Sequence, residues 1–264
     1  MNTEHIDIGL ARYSDWAFTS SIIVLVAALL LLAVELAYSR GRKVEARELV
    51  SAGAAVTADS NRPGVVVDEP ARSLDERLGK AGLALVYVGI ALLFACIVLR
   101  GLATARAPWG NMYEFINLTS FCGLVAGAIV LRKPQYRALW VFVLVPVLIL
   151  LAVSGKWLYT NAAPVMPALQ SYWLPIHVSV VSLGSGVFLV AGVASILFLL
   201  KMSRFGEPGA QGALARIVAK LPDAQTLDRI AYRTTIFAFP VFGFGVIFGA
   251  IWAEEAWGRY WGWD

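Results

Sequence analysis

The sequence predicts an all-α integral membrane protein of about six transmembrane helices with its N-terminus outside. Three observations carry that prediction. Of 264 residues, 59% are hydrophobic and 15% charged, where a soluble domain carries about 25% charge; the mean hydropathy is +0.69. The apolar residues lie in runs of about 15–25, the length that crosses about 30 Å of hydrocarbon at about 1.5 Å per residue. Lys and Arg, finally, are shared very unevenly among the segments between the runs.

The spans read as 17–38, 81–99, 116–131, 139–153, 176–200 and 235–252. Before the first, Glu4, Asp7 and Asp15 face one Arg12, the wrong balance for a signal-peptide n-region, so no cleavable leader is expected. Segments 40–80, 132–138 and 201–233 hold 17 of the 22 Lys and Arg. The positive-inside rule therefore puts them in the cytoplasm. Residues 1–38 form an N-terminal span and 39–80 a cytoplasmic linker of mixed charge, with Gly, Pro and Ser around Ser60–Gly64. Residues 81–264 form the main membrane domain. Ser73 and Glu76 have capping-box spacing, which suggests a short interfacial helix. A second amphipathic helix is expected over 210–221, stopping before Pro222. Gly123-x-x-x-Gly127 and Gly245-x-x-x-Gly249 read as close-packing sites between helices.

The net charge of +4 follows from this topology. No basic stripe with interleaved aromatics accompanies it, so the expected partner surface is membrane lipid and not nucleic acid. Cys96 and Cys122 lie in apolar runs and form no C-x-x-C pair; they read as buried membrane thiols rather than a redox relay.

Eight of the nine tryptophans fall on the outer side, and Trp140 alone on the other. An interfacial aromatic belt accounts for Trp16, Trp157 and Trp140. It does not account for four tryptophans between Trp252 and Trp263. Such a flat, rigid, weakly polar surface suits a planar apolar ligand. Of the two histidines, His5 sits in an acidic N-terminus and is assigned no role. His177 opens the fifth span in Tyr172-Trp-Leu-Pro-Ile-His177. At that depth it is either a metal or haem ligand or a hydrogen-bonded helix start.

The segment Trp257-Gly258-Arg259-Tyr260-Trp261-Gly262-Trp263-Asp264 resembles the tryptophan-rich "WWD" signature of the haem-handling membrane proteins. That group includes CcsA/ResC, the CcmC chaperone and the CcmF-type synthases. Three further segments point to CcsA/ResC. Pro167-Ala168-Leu169-Gln170-Ser171-Tyr172-Trp173, followed by Ile176-His177-Val178, resembles the stretch with the first outer histidine. Trp109-Gly110-Asn111-Met112-Tyr113-Glu114-Phe115 resembles the external Asn…Glu turn. Leu227 to Arg233, then Phe239-Pro240 and Gly249 to Ala253, resemble the approach to the motif.

The resemblance implies binding of haem b at the outer face of the plasma membrane and its presentation for attachment to the C-x-x-C-H motif of apocytochrome c. It implies a system II synthase (haem lyase) complex with a ResB/CcsB-like membrane partner and a thiol reductant protein. His177 corresponds to the first axial ligand of the haem iron. Trp257, Gly258, Trp261, Trp263 and Asp264 correspond to the motif that holds the haem edge, with Asn111, Glu114 and Trp173 as supporting residues. No catalytic side chain is implied, because cofactor and substrate supply the reactive groups while the protein supplies geometry.

Two other readings are a chaperone without synthase activity, like the CcmC class, and a secondary transporter. The Pro-Ala-Leu-Gln-Ser…His segment argues against the first. A transporter would place charges near the bilayer midplane, whereas Glu35, the acid lying within a span, is near the cytoplasmic end. The family pattern continues past Asp264 with further spans and further histidines. Residues 1–264 by themselves are therefore expected to bind haem weakly and to lack synthase activity.

Overall fold

Backbone N–H and C=O groups inside hydrocarbon must be paired within the protein. This chain meets the requirement with helices, and no strand occurs among the described residues. The structure, a computed structural model, describes residues 6–51, 74–164, 169–207 and 209–262. Seven helices follow in order: α1 (Ile8–Ser51), α2 (Leu74–Ala103), α3 (Met112–Val130), α4 (Leu139–Trp157), α5 (Trp173–Met202), α6 (Ala213–Val218) and α7 (Ala224–Trp257). All but α6 are long and apolar enough to cross a membrane. The protein is an all-α, six-span membrane protein.

The helices run past the apolar spans at their charged ends. Helix α1 continues to Ser51 through a segment rich in Arg, Lys, Glu and Ala, residues that favour helix without being apolar. The expected interfacial helix near residue 73 is the start of α2, which passes into the membrane without a break; Ser73 and Ser60–Gly64 lie outside the described residues. Helix α7 begins eleven residues before its expected span. There Asp223 is the N-cap, accepting from the Thr226 N–H at 3.0 Å and its hydroxyl at 2.7 Å. Those bonds hold the Asp223 carboxyl below its ordinary value. The third and fourth spans are 19-residue helices, long enough for about 28 Å. The expected helix at 210–221 is the shorter α6.

Helices α3 and α4 form the middle of the bundle. The α1–α2 hairpin packs on them through both its helices, and the α5–α7 pair packs mainly through α5 on α3. The hairpin closes on a glycine seam, where Gly79, Gly82 and Gly89 of α2 lie against Glu35, Leu32 and Leu25 of α1. A Cβ at any of the three would come within 2.2 to 2.8 Å of those side chains. Hydroxyls reinforce the seam, Ser14 donating to the Cys96 carbonyl at 2.9 Å and Ser21 to that of Gly89 at 3.1 Å. Glu35 is paired with Arg137. Gly123 faces the backbone of Gly186 across α3 and α5, and Gly127 opens a slot for the Trp140 ring. Trp140 is therefore 1% exposed, a core residue and not a member of an interfacial belt. Trp16 and Trp157 are exposed as a belt requires.

Candidate functional site

Helices α5 and α7 run antiparallel, and small residues set their distance. Gly184 faces Phe242, Val181 faces Gly245, and His177 faces Gly249. A Cβ on Gly249 would lie 2.6 Å from Cε1 of His177, so this glycine makes the seat for the imidazole. The ring is half-buried. Its Nδ1 lies 2.8 Å from the Gly245 carbonyl. A carbonyl accepts only, so Nδ1 carries a proton, and in the neutral ring the lone pair is on Nε2. A backbone carbonyl fixing one nitrogen of a histidine leaves the other as a metal ligand. The helix-start and ligand readings of His177 thus coincide, because the bond that anchors the ring also selects the tautomer.

Aromatic rings surround this seat. The indole of Trp252 lies parallel to the imidazole, with centroids 6.1 Å apart and planes at 10°. Trp257 meets Trp252 edge-on at 4.8 Å. The Trp252 Nε1–H is buried and has no hydrogen-bond partner among the described residues, a donor that a bound polar group would satisfy. Trp173 lies one turn before His177 on α5 and stacks on Phe248 at 6.1 Å. The Ser171 hydroxyl donates to Glu255 at 2.6 Å, tying the entry of α5 to the end of α7.

Helix α7 ends at Gly258, whose φ of 69° lies in the left-handed region and whose N–H donates to the Glu254 carbonyl at 2.8 Å. This is a glycine C-cap. It turns the chain so that Tyr260 and Trp261 stand exposed beyond the helix, next to the exposed Trp257 that ends it. Trp263 and Asp264 lie outside the described residues, as do Pro167 and Ala168.

Asn111 and Glu114 fall in a different cluster. The Asn111 side chain caps α3 by accepting from the Glu114 N–H at 2.9 Å. The Glu114 carboxylate in turn accepts from the Gly110 N–H at 2.7 Å, close to a capping box. Arg106 pairs with Glu114 at 3.0 Å. Arg100, 1% exposed, reaches Glu114 at 3.5 Å, Asp15 at 3.3 Å and the Thr160 carbonyl. Tyr159 donates to Asp15 at 2.7 Å. Burial, then this bond, raises the Tyr159 phenol above its ordinary value. Among the described residues no hydrogen bond joins this knot to His177. Its signal in the sequence was Arg100 at the end of an apolar run, an isolated cation in need of a carboxylate.

Taken together, fold and site define a multi-pass helical membrane protein with a histidine set in an aromatic wall at one end. The family model for cytochrome c assembly proteins matches residues 109–264. The chain is 32% identical over 200 residues to cytochrome c biogenesis protein CcsA of Guillardia theta, covering 67% of this chain and 66% of that protein. It is 30% identical over 252 residues to CcsA of Rippkaea orientalis, covering 74% and 73%. It is 32% identical over 206 residues to CcsA of a Synechococcus strain, covering 68% and 64%. The chain belongs to the cytochrome c assembly protein family. It spans about two thirds of the length of these relatives.

The structure brings His177, Trp173 and Trp257 together and places Asn111 and Glu114 in the ionic knot. Trp252 was read as part of the tryptophan cluster but not as the ring beside His177, and two participants were missed in the sequence: Gly249 as the seat of the imidazole and the Gly245 carbonyl. Their signal was Gly245-x-x-x-Gly249 followed by Trp252, small residues then a ring along one helical face. The register against α5 was needed to read it.

Proposed function

We propose that this chain binds haem b at the extracytoplasmic face of the plasma membrane and presents it to apocytochrome c. In this reading it is the CcsA-type subunit of a system II synthase complex with a ResB/CcsB-like partner. The observation that carries the proposal is the His177 seat: Nδ1 on the Gly245 carbonyl, Nε2 with a lone pair, and Trp252 parallel to the ring. Neutral imidazole is a common axial ligand of haem iron. The flat indoles of Trp252, Trp257 and Trp261 fit the apolar face of a macrocycle, and Trp263 and Asp264 continue the same stretch. The buried Trp252 Nε1–H is a donor left for a polar edge of that ligand. The residues present fit the group.

When bound, haem supplies the vinyl carbons to which the two thiols of C-x-x-C-H add. The chain's own residues position and exclude water. His177 would hold the haem iron through Nε2, the nitrogen that the backbone bond at Nδ1 leaves as the acceptor in the neutral ring. The rings cover an apolar face and keep water from it. Gly258 turns the Arg259–Trp261 segment away from the helix, where Tyr260 and Trp261 are exposed to a second protein. No side chain is assigned proton transfer, because holding two reactants in register supplies much of such a rate. A thiol reductant protein that keeps the apocytochrome cysteines reduced completes the proposal.

The test is the absorption spectrum of the protein copurified with its ResB-like partner, wild type against His177→Gly. Haem bands lost in the variant and restored by added imidazole are the expected result. Bands retained unchanged in the variant would overturn the ligand assignment.

A further inference from the structure

At the opposite end of the bundle a groove of about 470 Å³ lies between α1, α4 and α6. That volume is within the range of small-molecule sites, about 300–1,000 Å³. Its walls are apolar, with Ala33 and Leu36 from α1 and Val141 and Phe142 from α4. Its rim holds two cations, Arg216 and Lys220, and no carboxylate lines it among the described residues. Lys220 Nζ is drawn in by the carbonyls of Leu36 and of Ala37, the latter at 2.8 Å. Arg216 is exposed. Its Nε donates weakly to the Gly212 carbonyl at 3.4 Å, and no acidic side chain pairs with it among the described residues.

We infer that this groove is a binding site for an acidic phospholipid, with the headgroup phosphate on Arg216 and Lys220 and an acyl chain along Ala33, Leu36 and Phe142. Three observations support that occupant. The apolar walls belong to spanning helices, so an occupant reaches them from the bilayer. Helix α6 exposes Leu214 and Ile217, each 39%, beside Arg216. This is the amphipathic face of a segment lying in the interface plane. The groove is at the end carrying 17 of the 22 Lys and Arg, which the positive-inside rule assigns to the anionic cytoplasmic leaflet. Haem is a poorer occupant, because the lining offers no His, Cys, Met or Tyr to an iron. A free phosphate ester would leave the apolar length of the groove unfilled.

The experiment uses the purified chain in nanodiscs of phosphatidylcholine alone or in equal parts with phosphatidylglycerol, and reads retained lipid by native mass spectrometry. Wild type is expected to keep phosphatidylglycerol selectively. Arg216→Gln, an exposed change remote from the histidine seat, should weaken that retention about fivefold, the effect of one basic residue near a membrane surface. Ala33→Phe fills the groove without altering charge and should abolish selective retention while helical content stays unchanged. Glycerol 3-phosphate should not compete. Equal retention of both lipids, or retention unchanged in both variants, would overturn the site. Competition by glycerol 3-phosphate would overturn the lipid assignment in favour of a headgroup site alone.

Discussion

Around Arg100, three helices and a loop converge on charge: Asp15 of α1, Arg100 of α2, Glu114 of α3 and the Tyr159–Thr160 segment after α4. Around His177, two helices meet through glycines and rings, with one hydrogen bond to a backbone carbonyl. Both regions lie at the same end of the bundle. The first is densely paired: Arg100 and Glu114 are 1% and 3% exposed and each finds several partners, although a pocket of about 310 Å³ opens beside Asp15, Arg100 and Tyr159. The second is more open: Nε2 of its imidazole is not used by the bond to the Gly245 carbonyl, the Trp252 N–H is unpartnered among the described residues, and Trp257 and Trp261 are more than half exposed. A polar knot whose groups are mostly paired, the Arg106 Nε excepted among the described residues, holds helices together. An apolar wall with unused valences is what a ligand can bind. Their proximity lets the knot serve as the fixed frame. Arg106 donates to the Ala163 carbonyl at 3.1 Å and Arg100 to that of Thr160, so both hold the chain that leads into α5.

The comparison breaks first at Arg100. Arg100→Gln removes one cation from the buried Glu114 and from the partly exposed Asp15, and removing one partner of a buried pair costs about 3–5 kcal/mol. We expect about 3 kcal/mol, at the low end because Arg106 remains on Glu114. Thermal unfolding in detergent measures it, and a loss below about 1 kcal/mol would mean that water already reaches the knot. A smaller effect on stability, with a larger one on binding, is expected at the histidine seat. Gly249→Ala puts a methyl 2.6 Å from the imidazole and should cost about 1–3 kcal/mol by overpacking. The same variant should shift or abolish the haem bands, whereas Arg100→Gln should weaken the protein without changing the spectrum of the molecules still folded. Spectra unaffected by Gly249→Ala would separate the seat from haem binding.

The smallest effect belongs to a third place, the Asp223 cap. Its carboxyl titrates below the ordinary 3.8. The cap therefore contributes stability that is complete above the unfolded value and is lost as pH falls through the lowered folded value. The thermal midpoint of wild type should fall relative to Asp223→Asn across that acidic window and run parallel to it above. Parallel curves throughout would show that the cap does not stabilise α7.

Much of the fold was legible because the bilayer leaves few choices. Apolar runs of spanning length must be helical, and the skew of Lys and Arg sets orientation. Helix ends were less legible. Residues 39–51 and 224–234 are too charged to register as membrane segments, yet their helix propensity carries α1 and α7 through them. Trp140 misled for a related reason: its position near an interface suggests a belt, but Gly127 on a neighbouring helix gives it a slot in the core. His177 and Trp257 were legible as chemistry, an ionisable ring at a membrane edge and an aromatic cluster too dense for a belt. The role of Asn111 and Glu114 as a helix start was hidden by the absence of Arg100 and Arg106 from their own segment.

The sequence by itself determined the fold class, the number of spans, the family and the end of the molecule where the aromatics gather, because hydropathy, charge bias and local motifs are additive along a chain. Only the tertiary structure decided which nitrogen of His177 is protonated, which indole lies parallel to it, and which arginine holds Glu114. Those facts depend on the register of α5 against α7 and of α2 against α3. Close contacts between glycines and bulky side chains on distant segments set that register.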